Sequence, residues 1–572
     1  MKKLLHISIF LTLSFEILLA NTLPIIEYNS INHPVISKTG MVVSQRHKAS
    51  EVGAEILRKG GNAVDAAVAT GLALAVVLPR AGNLGGGGFM VVYLKDKDKT
   101  ITIDYREKAP SEAHRDLFLD KNGNYDKQRA QFSLLSAGVP GTVAGLYLAL
   151  TKYGTMTWQE VLEPSIKLAE EGFMIPHDLA NTLASPRYKK RLSSNAAAAK
   201  SYYKKDKSNY QAGELLKLPD LAWTLKQLSD NGPGAFYEGE IAKKIIKEMI
   251  RNQGLISAED LKNYKAIERS PVEGTYKDFR IVSMPPASSG GVHLIQMLNM
   301  LEEYPIQDMG FGSADSIHIL AEVMKRAYAD RSKHLGDMDF YDVPFSLISK
   351  EYSSSLNKSI SIDSRTASQD VLAGDPYPYE SPDTTHFSVM DEYGNVVSNT
   401  YTLNFSYGSG IMIPGTGMLM NNEMDDFSSK PGVPNGYGLL GSEANSIQAN
   451  KRPLSSMTPT IIFKDNKPYL VLGSPGGSRI ITTVLQVALN VMEHGMNVAQ
   501  AVNSPRIHHQ WLPEVLMIEK GFGPDTEKLL LEKGYRLYPS STMGSVQAIL
   551  KDGEYFYGAS DPRRPGSGAV AP

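Results

Sequence analysis

The sequence predicts a mixed helix-and-sheet fold of the α+β class. Two stretches of helical spacing, 49–58 and 63–77, follow one another with only Gly60-Gly61 and Asn62 between them. Strand-like runs at 89–94 and 100–105 are adjacent, as are those at 460–463 and 469–473. Segment 384–402 reads as two strands closed by the turn Asp391-Glu392-Tyr393-Gly394-Asn395. The 572 residues, 42% of them hydrophobic, suffice for several domains or one large elaborated fold.

In chain order, Lys2-Lys3 precede a largely apolar run, 4–19, interrupted by Glu16, and Leu18-Leu19-Ala20-Asn21 offers a cut after Ala20. This predicts a secretory signal over 1–20 that is removed on export, leaving no stable membrane anchor. Residues 21–40 are polar and extended, and Met41-Val42-Val43 form a short strand. Asn62 caps the Ala-rich helix 63–77, which is apolar on nearly all sides and therefore buried. Gly85-Gly86-Gly87-Gly88 before a strand signals close backbone approach; no Lys-Ser or Lys-Thr follows, so it is not a phosphate loop. Residues 142–153, 157–171, 220–230 and 240–252 read as helices, and 186–210, rich in Lys, Ser and Tyr, as a solvated excursion. A strand is expected over 276–284, a helix over 292–303, and a longer one from Ala314 to Ser332 capped by Ser313. Residues 352–383 lack periodicity and read as a flexible linker ending at Thr384. Helix 479–494 and strand pieces at 545–550 and 554–557 complete the chain.

A net charge of −2 argues against a nucleic-acid binder held by electrostatics. The absence of Cys excludes disulfides, thiolate metal sites and a cysteine nucleophile. His508 and His509 are adjacent rather than one helical turn apart, so they cannot share a metal from one helix face. Gly473-Ser474-Pro475-Gly476-Gly477 lacks the spacing of a serine-hydrolase elbow. No cofactor or metal is expected.

Threonine remains. Counting outward from Tyr393 sets Met390 opposite Val396, Ser388 opposite Ser398 and Thr384 opposite Thr402, with the two threonine hydroxyls within reach. A slip of one residue turns one threonine to the other face. On the hairpin alone, two β-branched residues in an ordinary strand pair is the favoured reading. If Thr384 became an N-terminus, its α-amine, with a pKa of about 7.7–8.0, could accept the hydroxyl proton. Gly476-Gly477 before a helix could aim two backbone N–H groups at an oxyanion. Arg106 is either a surface cation or a carboxylate clamp.

Seven stretches, in order, then carry a resemblance: Asn83 to Phe89; Asp104-Tyr105-Arg106-Glu107; Thr384-Thr385-His386-Phe387-Ser388; Thr400-Tyr401-Thr402-Leu403-Asn404; Asn421 to Phe427; Arg452 to Met457; and Gly473 to Arg479. The sequence resembles bacterial γ-glutamyltranspeptidases of the N-terminal-nucleophile hydrolase superfamily, over essentially the whole chain after the signal. The resemblance implies a four-layer αββα sandwich shared by two subunits, 21–383 and 384–572, that arise by self-cleavage between Asp383 and Thr384 and pair as a heterodimer. It implies that Thr384 attacks γ-glutamyl compounds such as glutathione. Water, or an amino-acid or dipeptide acceptor, then resolves the ester. By matching position, Thr402 is the hydrogen-bond partner of the nucleophile and Gly476 and Gly477 form the oxyanion hole. Arg106, Ser455 and Ser456 bind the substrate α-carboxylate, and Asn404, Glu423 and Asp426 its α-amine. Taken singly, Ser455-Ser456 read as turn polars and Asp425-Asp426 as a solvated loop. The loop 431–445, with Tyr437, resembles the family's lid, which cephalosporin acylases tend to lack. Glu423 stands where some relatives carry Gln. Phe387 replaces a frequent Tyr, removing a hydroxyl expected close to the nucleophile. The signal implies a periplasmic or secreted enzyme.

Overall fold

The computed structural model describes residues 30–371 and 384–572, except 431, 432, 434 and 437. The expected signal 1–20, Asp383 and Tyr437 lie outside the described residues.

Two seven-stranded antiparallel sheets lie face to face. The first runs Gly568–Val570, Gly40–Ser44, Thr384–Asp391, Val396–Thr402, Gly87–Leu94, Lys99–Tyr105, Ile267–Arg269. The second runs Val35–Ser37, Tyr555–Ser560, Gln547–Asp552, Lys467–Gly473, Thr460–Lys464, Phe279–Ser283, Val272–Tyr276. Met41, Val91, Tyr93 and Met390 from one sheet interlock with Val282, Ile461, Phe463 and Ile549 from the other. The outer face of the first sheet is covered by helices including Ala63–Val77, whose fifteen residues are all buried. Gly290–Leu301 and Arg479–Met492 cover the second. The result is the four-layer αββα sandwich.

Local sequence explains the entry to the first layer. The Asn62 side chain accepts from Val64 N at 2.8 Å and Asp65 N at 3.1 Å, while Asp65 accepts from Asn62 N, closing a capping box. The apolar Ala-rich helix then slides onto strands 384–391 and 396–402, where larger side chains would hold it off. The four glycines answer to close approach. A Cβ on Gly86 would stand 2.0 Å from Thr402 O, and one on Gly88 2.5 Å from Thr400 O. No real Cβ tolerates this, so the run allows strand 396–402 to lie against it. Asn83 completes the join, donating from Nδ2 to Thr402 O at 2.9 Å and accepting from Gly86 N at 3.0 Å.

Several expectations change. Residues 276–284 are not one strand: Val272–Tyr276 and Phe279–Ser283 form a hairpin whose turn is carried by Lys277 at φ +49°. The excursion 186–210 contains helices Pro186–Ser193 and Ala196–Tyr202, which bury Leu192, Ala198 and Tyr202. The described part of the linker is not loose. Lys350–Asn357 is a helix, Thr366 N donates to Glu322 Oε1 at 3.1 Å, and Trp511 Nε1 donates to Ser368 O and Val371 O. Phe387 faces the helical layer with Val389, its ring edge-on to Tyr401, on the opposite face of its strand from Thr384. It therefore does not border Thr384.

Candidate active site

The hairpin register is the one counted from the turn: Thr384 pairs with Thr402, Ser388 with Ser398 and Met390 with Val396. Thr384 is the first residue of its strand and lines a small cavity. Its hydroxyl donates to Thr402 Oγ1 at 3.4 Å, and Thr402 Oγ1 accepts from Asn404 N at 2.8 Å. Asn404 sits at φ +72° and its Nδ2 donates to Asn422 O at 2.9 Å. His386, two residues from Thr384, is no base for it. Its nitrogens engage Thr400 Oγ1 at 2.8 Å and Ser388 Oγ at 3.0 Å, and burial holds its pKa down to about 3.

The candidate residues converge. Arg106, Thr384, Thr402, Asn404, Glu423, Asp426, Ser455, Ser456 and Gly477 all line the cavity. Gly476 precedes Gly477 without lining it; both have positive φ, +140° and +56°, ahead of helix Arg479–Met492. Leu439 and Leu454 add apolar wall.

One pole of the cavity is a charged knot. Arg106 donates through Nη1 to Glu423 Oε1 and through Nη2 to Asp426 Oδ2 at 2.6 Å, with Glu107 Oε2 3.6 Å from Nη1. Arg106 is thus a buried clamp on acidic side chains, not a surface cation. Burial opposes its charge, but Glu423, Asp426 and Glu107 outweigh burial and raise its pKa. Three carboxyls share this one guanidinium. Burial, with repulsion from Asp426, pushes Glu107 up to about 7; burial, with repulsion from Glu107 and Asp426, raises Glu423; and burial raises Asp426, all despite the attraction of Arg106. At the other pole, Ser455 N donates to Ala287 O and Ser455 O accepts from Ser289 N, which fixes the serine pair.

Three contributors were not singled out from sequence. Glu107 lies in a quoted motif but looked like one more charged residue. Asp425 is buried rather than solvated. It accepts from Tyr125 Oη at 2.5 Å, Gln131 Nε2 at 3.2 Å and Gly436 N at 2.9 Å, and so ties the loop around 436 to the cavity wall. Arg331 lines the cavity from the end of helix Ala314–His334, where a basic residue is the ordinary pattern of a helix C-terminus and gives no signal. Among the described residues no cluster of His, Asp and Glu could hold a metal ion.

Residues 49–571 match the family model described as gamma-glutamyltranspeptidase. The chain is 52% identical over 534 residues to the glutathione hydrolase proenzyme of Escherichia coli (strain K12), which spans 93% of this chain and 91% of that protein. Among solved structures it is similar to the gamma-glutamyltranspeptidase of Helicobacter pylori, with a TM-score of 0.58 and 44% identity over 59% of this chain and 96% of that one. The cephalosporin acylase of Bacillus halodurans superposes with a TM-score of 0.83 and 25% identity over 96% of this chain and 98% of that one. With the family model and the Escherichia coli relative matching nearly its whole length, the chain belongs to the gamma-glutamyltranspeptidase family.

Proposed function

We propose that the chain is a self-processing precursor of a γ-glutamyltransferase that also hydrolyses glutathione. The observation that carries this reading is Thr384 at the start of a strand, its hydroxyl on Thr402, facing a cavity that offers both cationic and acidic groups. Self-cleavage begins when Thr384 Oγ1 attacks the Asp383 carbonyl carbon. The peptide C–N bond breaks, the nitrogen keeps the proton given up by the hydroxyl, and an ester links the two residues. Water opens that ester, giving the Asp383 carboxylate and a free Thr384 amine and hydroxyl. The amide of the precursor is not basic, whereas the released amine is. Cutting therefore creates the base that turnover needs.

In the cut enzyme the amine takes the hydroxyl proton as Oγ1 attacks the γ-carbonyl of the donor. The N–H groups of Gly476 and Gly477 stabilise the oxyanion, and the departing amine receives the proton. Water or the amine of an amino acid or dipeptide resolves the γ-glutamyl ester. Arg106, Ser455 and Ser456 take the donor α-carboxylate, and Asn404, Glu423 and Asp426 its ammonium. Segments 21–383 and 384–572 form the large and small subunits of a precursor that is exported to the periplasm or beyond, with 1–20 removed on export. No helix among the described residues is long and apolar enough to cross a membrane.

Incubation with glutathione, with and without glycylglycine, followed by mass spectrometry of products and protein chains, tests the reading. Glutamate is expected without acceptor, γ-glutamyl-glycylglycine with it, and a protein chain beginning at Thr384. Intact glutathione beside a correctly cut protein would remove the assignment. The acid residues at the amine pole set this reading against a glutaryl acylase, whose donors lack the amine; equal turnover of glutaryl and γ-glutamyl anilides would favour the acylase.

Asp425 makes a pH-dependent contribution. Burial, helped by Asp426, pushes its carboxyl up to about 6. Above that pH a charged acceptor holds Gly436 N; below it the bond becomes a neutral one of about half the strength. The donor KM is therefore expected to rise as pH falls through about 6. Asp425→Asn should raise KM at pH 8 by about threefold to tenfold, the worth of one hydrogen bond, and flatten this limb. Steady-state kinetics between pH 5 and 8 check it; identical profiles would count against the loop tie.

A further inference from the structure

Arg331 is buried, 5% exposed, yet its guanidinium borders the cavity. Nε donates to Ser289 Oγ at 2.9 Å and Nη2 to Ser456 Oγ at 3.0 Å. Both partners are neutral hydroxyls. Among the described residues Arg331 forms no ion pair, and Nη1 donates to none of them. Arg106 differs in kind, with two carboxylates in contact and a third at 3.6 Å. The cavity thus holds one guanidinium surrounded by acids and one surrounded by hydroxyls. Taking a cation out of water without a counter-ion is costly. Burial, reinforced by repulsion from Arg106, lowers the Arg331 pKa to about 10, against the pull of Tyr328 and Asp426, so the group stays charged at neutral pH. An anion arriving at the serine pole removes that cost.

We propose that Arg331 is a specificity-determining residue that receives the donor α-carboxylate together with Ser456, adding beside Arg106, which also holds Glu423 and Asp426, a second positive charge with no carboxylate in contact. The proposal rests on the γ-glutamyl reading of the site. It also accounts for the serine pair: Ser456 Oγ, accepting from Arg331, is left with its proton to donate to the carboxylate.

Two donors with the same anilide leaving group test it: the γ-glutamyl anilide, and the 4-aminobutanoyl anilide, which keeps the amine and lacks the carboxylate. The readout is the ratio of their kcat/KM values, which a purely structural prop does not move. In Arg331→Gln the preference for the carboxylate-bearing donor is expected to fall about 30-fold or more, the usual effect of removing one partner of a buried hydrogen-bonded charge pair. An unchanged ratio, or equal loss on both donors, overturns the proposal. If Arg331→Gln does not cut itself, Arg331→Lys is read in the same way, a fall in the ratio supporting the proposal and an unchanged ratio overturning it. A wild-type enzyme that turns over neither donor overturns the γ-glutamyl reading and this one with it. A wild-type preference that survives in Arg331→Gln overturns only the role of Arg331.

Discussion

Thr384→Ala is expected to accumulate as a single uncut chain and to release no product from a γ-glutamyl anilide. The substitution removes the proposed attacking oxygen of both reactions, cleavage of the chain and acyl transfer. It also keeps the nitrogen of residue 384 locked in an amide. Loss of a nucleophile that acts in concert with its base costs about 10⁴-fold or more in rate. The fold is expected to survive, because the hydroxyl contributes one 3.4 Å hydrogen bond at the cavity wall while the strand pairing and the packing of the hairpin remain. Gel electrophoresis and an anilide assay are sufficient. Two chains of normal size from this variant would transfer the role of nucleophile elsewhere.

Arg106→Ala is expected to abolish turnover and to destabilise the protein by about 3–5 kcal/mol, the range for breaking a buried ion pair from one side. Glu107, Glu423 and Asp426 would then share a buried site with no cation in contact. Denaturant unfolding in the Thr384→Ala background compares two single chains and isolates the effect. The deficit has a defined pH dependence. Carboxyls whose folded pKa lies above the unfolded value favour the folded state at low pH and lose that contribution as pH rises through the folded pKa. Glu107 is already raised to about 7, and Glu423 and Asp426 are raised too. Removing Arg106 raises them further. The deficit should be largest above pH 7 and shrink towards pH 4, where all three carry protons. An unfolding midpoint equal to that of the parent at pH 8 would show that the knot contributes nothing to stability.

Much of the sandwich was legible because its local rules agree. The five-residue turn fixed the register of strands 384–391 and 396–402 by simple counting, and the glycine run announced a backbone contact that the structure measures at 2.0 Å for a Cβ on Gly86. The layer order was not legible from periodicity and came from the resemblance. Where sequence failed, a single residue carried the missing information. Lys277, in a left-handed conformation unusual for lysine, splits one apparent strand into a hairpin. Leu192, Ala198 and Tyr202 anchor two helices within a stretch whose composition looks solvated. Asp425 and Arg331 have the sequence appearance of surface charges, and only tertiary packing makes them buried.

The sheet order has a consequence for the protein after it is cut. Strands 384–391 and 396–402 lie between Gly40–Ser44 on one side and Gly87–Leu94 on the other, and Gly568–Val570 caps the far edge of Gly40–Ser44. With the proposed cut before Thr384, both sheets are therefore built from both products, and neither product owns a complete sheet. While the peptide bond is intact, every pairing is intramolecular and refolding is unimolecular. Once it is broken, the same pairings require an encounter between two molecules, so recovery from denaturation becomes dependent on protein concentration. Cleavage is thus a ratchet: it leaves the native contacts in place and removes the route by which they were first assembled.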